Sequence, residues 1–84
     1  MITVRVPSIL RSDGWPPDVV IDGPVTTIEA LVSELDRRLP GARARLDDPL
    51  FNFAVNDAMI LHGVHTHRLR DGDVVEIIPT IAGG

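Results

Sequence analysis

The sequence predicts an α+β domain, a mixed sheet of four or five strands with one main helix packed on one face. Three observations carry that expectation. Apolar and polar residues alternate near the start, the middle and the end of the chain. One segment repeats its apolar residues at helical spacing in a single stripe. Gly- and Pro-containing turn signals separate the segments.

The first strand is residues 2–6, where Ile2, Val4 and Val6 share one side and Thr3 and Arg5 the other. Pro7 closes it. The stretch from Ser8 to Asp18 contains Asp13-Gly14 and Pro16-Pro17 and reads as a loop. Val19-Val20-Ile21 is a short second strand, ended by Asp22-Gly23-Pro24. Thr26 followed by Glu29 fits a capping box that opens a helix. Ile28, Leu31, Val32, Leu35 and Leu39 form its stripe, and Pro40-Gly41 stops it. Glu34 and Arg38 stand four apart on its polar side. The connector from Ala42 to Pro49 has room for one helical turn. Phe51, Phe53 and Val55 then mark a third strand, and Asn56-Asp57 begins a turn into a short edge strand at Met59-Ile60-Leu61. Asp71-Gly72-Asp73 is a tight turn feeding the last strand, 74–78. Pro79 begins a tail, 79–84, without turn or helix signals. Among α+β topologies this order closes most naturally as a β-grasp, with 1–84 a single domain and 79–84 its flexible Gly-Gly tail.

Size and composition narrow the function. A chain of 84 residues has one small core and little room for a buried catalytic pocket, which favours a binding or carrier module over an enzyme. Net charge is −4, and all eight basic residues are arginines scattered among acids, so no basic face is expected for nucleic acid. With no cysteine, disulfides, thiolate metal sites and thiol catalysis are excluded. The N-terminal segment alternates like a strand and no apolar run approaches membrane-spanning length, so a cytoplasmic protein without membrane contact is expected.

Several polar clusters invite sharper readings. His62, His65 and His67 sit in a loop without rigid spacing or a supporting carboxylate, and are read as solvated side chains; no metal site is expected. Asp71 and Asp73 flank Gly72, where hydrogen bonds to the local backbone are a better account than acid–base work. Trp15 is either a lid on the core edge or a contact residue. Val74, Glu76 and Ile78 point away from Val75 and Ile77. They form either a partner-docking strip beside the tail or a surface covered by the segment from Met59 to Leu61.

The string from Leu69 to Gly84 carries a resemblance. An Asp-Gly-Asp turn, a last strand Val74-Val75-Glu76-Ile77-Ile78 and a Gly83-Gly84 end resemble the MoaD/ThiS family of ubiquitin-like sulfur carriers, and Val55-Asn56 is similar to the family's ending of the middle strand. The likeness spans the whole chain in length and element order, with its specific motifs in the last third. It implies that a partner of the ubiquitin-activating type, an E1-like adenylyltransferase and sulfurtransferase, uses ATP to adenylate the Gly84 carboxylate. Sulfur then displaces AMP to leave a thiocarboxylate. Pro79, Thr80, Ile81, Ala82 and Gly83 would lie in the partner's active site, where residues 83 and 84, lacking Cβ, can thread a narrow channel. The resemblance assigns no cofactor to the chain itself.

The opening Val4-Arg5-Val6-Pro7-Ser8-Ile9-Leu10-Arg11 is more similar to the cysteine-biosynthesis carrier than to the molybdopterin type. In the first branch the acceptor is a cysteine synthase with pyridoxal phosphate, in the second the large subunit of molybdopterin synthase. A protein modifier forming isopeptide bonds shares the activated terminus, and a plain adaptor would need no terminal chemistry.

Overall fold

The computed structural model describes residues 1–80. Five strands and three helices follow in the order β1 (Ile2–Arg5), α1 (Ser8–Arg11), β2 (Asp18–Ile21), α2 (Ile28–Arg38), α3 (Ala42–Leu46), β3 (Phe51–Val55), β4 (Ala58–Ile60) and β5 (Val74–Pro79). The sheet order is β2-β1-β5-β3-β4. Its central pair, β1 and β5, is parallel, with Val4 opposite Val75; the other pairs are antiparallel. This is the expected mixed sheet, with β1 and β5 brought together from opposite ends of the chain.

Alternation in the strands sends Ile2, Val4, Val19, Ile21, Phe51, Phe53, Val75 and Ile77 into one core with Ile28, Leu31, Val32 and Leu35 of α2. Burial of each such apolar side chain contributes about 1.5–3 kcal/mol against leaving it in water. The polar side of α2 is bound to itself and to the sheet: Glu34 accepts from Arg37 and from Arg38 Nε at 2.8 Å, and Arg38 also donates to the Val20 carbonyl at 3.0 Å. Leu39, the residue before Pro40, leaves the helical region at φ −126° and ψ 86°, as the proline favours, and the helix ends there.

Four local assignments differ from expectation, each for a tertiary reason. The helix cap is Thr27, not Thr26: its side chain accepts from Ala30 N at 3.1 Å, while the Thr26 carbonyl takes the Leu69 N–H at 2.8 Å. The segment read as a loop contains α1, formed because Leu10, 0% exposed, plugs into the core. The edge strand starts at Ala58, one residue early, because Asn56 and Asp57 have φ of 50° and 71° and close a two-residue hairpin loop between Val55 and Ala58. Pro79 belongs to β5, opposite Phe51, and not to the tail. A proline is accepted there because its missing N–H points to the β1 side, and pairing with β1 stops at Glu76.

Candidate functional site

The residues singled out by the sequence lie along β5 and at its two ends. At the start, the Asp73 carboxylate accepts from Arg70 N at 2.8 Å and from the Asn56 side-chain amide at 2.9 Å. The Asn56 side-chain oxygen in turn accepts from Val74 N at 2.9 Å, and Asn56 N donates to the Val74 carbonyl at 2.8 Å. These donors, the Arg70 N–H foremost, hold the Asp73 carboxyl below its ordinary value of 3.8. Gly72, at φ +92°, makes the reversal and donates to the Met1 carbonyl at 2.7 Å. Asp73 therefore bonds the local backbone as expected, whereas Asp71 pairs with the N-terminal amine.

Along the strand, Val75 and Ile77 are buried in the core, and Val74, Glu76 and Ile78 are half-buried on the opposite face. In register with them on that face are Thr3 and Arg5 of β1 and Asn52 and Ala54 of β3. Met59 pairs with Ala54, so β3 lies between the edge strand and β5. The Met59 side chain touches Asn52 and is 45% exposed. Among the described residues no helix packs on this side: the three candidate docking residues sit at the middle of a sheet face edged by exposed Val20 and Met59. A shallow cleft of about 110 Å³ opens where β1 ends, between Arg5, Pro7, Glu76 and Pro79.

At the end of β5, Thr80 is not free. Its N–H donates to the Leu50 carbonyl and its Oγ1 to the Pro49 carbonyl, the latter at 3.1 Å. The expected tail residues Pro79 and Thr80 are thus part of the folded body. Ile81, Ala82, Gly83 and Gly84 lie outside the described residues. The sequence held no sign of the Thr80 contacts, which depend on how the turn before β3 is placed.

The remaining clusters play structural parts. Ile28 N and Glu29 N, at the start of α2, donate to the His67 and His65 carbonyls at 3.1 and 3.0 Å. With Thr27 on Ala30 N, the first-turn donors are occupied, so this helix end offers no N–H to an anion. The His65 ring stands 3.8 Å from Glu29, which is itself held by Arg43 at 2.8 Å. Among the described residues no group of three or more His, Asp or Glu side chains is arranged to hold a metal. Trp15 is half-buried and packs against the core, the lid of its two expected roles. No helix of the described residues is long and apolar enough to cross a membrane.

The β-grasp body leads through the Asp-Gly-Asp turn and the central strand β5 toward the Gly83-Gly84 sequence. The ThiS family model matches residues 13–84, a span that includes both glycines. The chain belongs to the ThiS family. Among curated members of this group, the sulfur carrier protein CysO of Mycobacterium tuberculosis, and likewise that of Mycobacterium bovis, is 34% identical over 93 residues, covering 99% of this chain and 98% of theirs. Among solved structures, a chain of the Amycolatopsis orientalis BexX/CysO complex superposes with a TM-score of 0.83 at 31% identity, covering all of both chains. Mycobacterium tuberculosis CysO gives 0.81 at 32%, covering 96% of this chain and 100% of that one. Small archaeal modifier protein 1 of Methanosarcina acetivorans gives 0.75 at 23% identity over 99% of this chain and 95% of that one, a likeness of fold alone. ThiS-family membership places the chain among the ubiquitin-like sulfur carriers.

Proposed function

We propose that this chain carries sulfur as a thiocarboxylate on Gly84 and delivers it to cysteine biosynthesis. The supporting observation is the near full-length likeness to CysO carriers, at 34% identity, together with a family match that runs through Gly83 and Gly84. A carboxylate is a poor electrophile. In the proposed sequence a carboxylate oxygen of Gly84 attacks the α-phosphorus of ATP, held by an E1-like partner, and pyrophosphate leaves. A hydrosulfide-equivalent nucleophile then attacks the acyl carbon, the bond to AMP breaks, and the thiocarboxylate remains.

The carrier acts as a co-substrate in this scheme, and the catalytic groups belong to its partners. The second of these is a cysteine synthase whose pyridoxal phosphate supplies the electrophile that takes the sulfur. The half-buried strip of Val74, Glu76 and Ile78 is the docking surface for both the activating enzyme and the sulfur acceptor. Absence of cysteine leaves no internal thiol to intercept the activated end.

The test is intact mass after incubation with an E1-like enzyme, ATP and a sulfide source. The expected gain is the mass of sulfur less that of oxygen, located on the last residue, and lost on deletion of Gly84. An unchanged mass with an enzyme that activates other CysO carriers overturns the reading. Transfer to a cysteine synthase, and not to the large subunit of molybdopterin synthase, decides the branch.

A further inference from the structure

We propose that Thr80 is a positioning residue that fixes where the carrier tail leaves the folded body; the role rests on the reading of Gly84 as the activated end. The end of β5 has support on one side only. Parallel pairing with β1 stops at Glu76 opposite Arg5, whereas on the β3 side Pro79 still faces Phe51. Among the described residues, the chain beyond Pro79 is held by Thr80, through its N–H on the Leu50 carbonyl and its Oγ1 on the Pro49 carbonyl.

The acceptors are themselves fixed. Leu50 N donates to the Asp48 carboxylate at 2.9 Å and Phe51 N to the Asp48 carbonyl at 3.1 Å, so residues 48–51 form a braced turn. Thr80 is thereby docked on a rigid support, and its β-branched side chain has few alternatives once Oγ1 is engaged.

Four residues, 81–84, follow the clamp. Four residues of any conformation reach at most about 14 Å, so where Thr80 is held bounds the reach of the end proposed to be activated. Without the Oγ1 bond residue 80 is held by its N–H on the Leu50 carbonyl only, and the direction in which the chain leaves it is less tightly set. A less directed tail costs more conformational entropy to place in a channel. That cost falls on formation of the complex and is the same in the ground and transition states, so it raises KM and leaves kcat unchanged.

The test compares the full-length carrier with Thr80→Val and Thr80→Ser in ATP-dependent activation by an E1-like enzyme, with melting temperature and amide hydrogen exchange at residue 80 measured on the carrier alone. Valine keeps the shape and loses Oγ1; serine keeps Oγ1. A net loss of one hydrogen bond predicts a KM for Thr80→Val higher by about two- to tenfold, an unchanged kcat and faster exchange at residue 80, with Thr80→Ser close to the parent. An active parent with Thr80→Val of unchanged KM overturns the clamp while sparing the Gly84 reading. So does a variant impaired in kcat alone, or one in which serine fares no better than valine. A parent that is never activated removes the Gly84 reading, and the positioning role falls with it.

Discussion

The side-chain amide of Asn56 donates to the carboxylate of Asp73 at 2.9 Å, joining two turns that lie 17 residues apart. Asn56 closes the β3–β4 hairpin at φ 50° while its side-chain oxygen takes the Val74 N–H. One residue thus satisfies a left-handed backbone position, an otherwise free strand N–H and a carboxylate. Asparagine is suited to all three.

Replacing Asn56 separates these contributions. Asn56→Gly keeps the backbone conformation and loses both side-chain hydrogen bonds, an expected cost of about 1–2 kcal/mol. Asn56→Ala adds the strain of a Cβ at positive φ, about 1 kcal/mol more. Urea unfolding of the two variants measures both. Equal stability of the glycine variant and the parent would show that the two bonds contribute nothing net.

The helix cap gives a second test. Thr27→Ala removes the acceptor of Ala30 N and is expected to destabilise by about 1 kcal/mol. Thr26→Ala is expected to be nearly neutral, since Thr26 takes part through its carbonyl, which the substitution keeps. Thermal unfolding of both distinguishes them, and a larger loss at Thr26 would contradict the assignment.

This pair also shows where the sequence stops being informative. Thr26 and Glu29 have capping-box spacing, and nothing local prefers Thr27. The choice is made by an isolated bridge between Thr27 and Arg68 and by the bonds from Ile28 N and Glu29 N to the 65–67 segment. Strand and helix existence was legible because periodicity reports burial directly, as in Val75 and Ile77 of β5 and the Leu31–Leu35 stripe. α1 was not, because four residues are too few for a period. At the site, the Asp-Gly-Asp turn and the outward strip were legible. The Thr80 anchor was not, since it pairs residues about 30 apart through backbone carbonyls that carry no side-chain signal.

Acid should weaken the fold through two carboxylates. Hydrogen bonds from Arg37 and then Arg38 hold Glu34 at about 2 against an ordinary 4.5, and Asp73 is held below 3.8. Both folded values lie under the unfolded ones, so the unfolded chain takes up protons first as pH falls. The stability they provide is in full above about pH 4.5 and is lost progressively toward about pH 2. Urea midpoints measured across this range should fall with acid. Glu34→Gln should flatten that fall while lowering the neutral-pH value. An acid limb of unchanged slope in Glu34→Gln would show that the arginine pairing is not what titrates.

The outward face of β5 supplies the last test. Ile78 is half-buried, in register with Asn52, on a side of the sheet that no helix of the described residues covers. If partners dock there, a buried charge at Ile78 is expected to be far more costly to the complex than to the fold, because only the complex removes it from water. Ile78→Asp should therefore lower kcat/KM for ATP-dependent activation by about tenfold or more while shifting the unfolding midpoint modestly. Val20→Asp is the matched control: Val20 is 45% exposed on the same face, but β1 separates its strand from β5. Activation of Val20→Asp at the parental rate, beside a failing Ile78→Asp, would place the contact at the middle of the sheet. Equal activity of both variants would move the docking surface elsewhere.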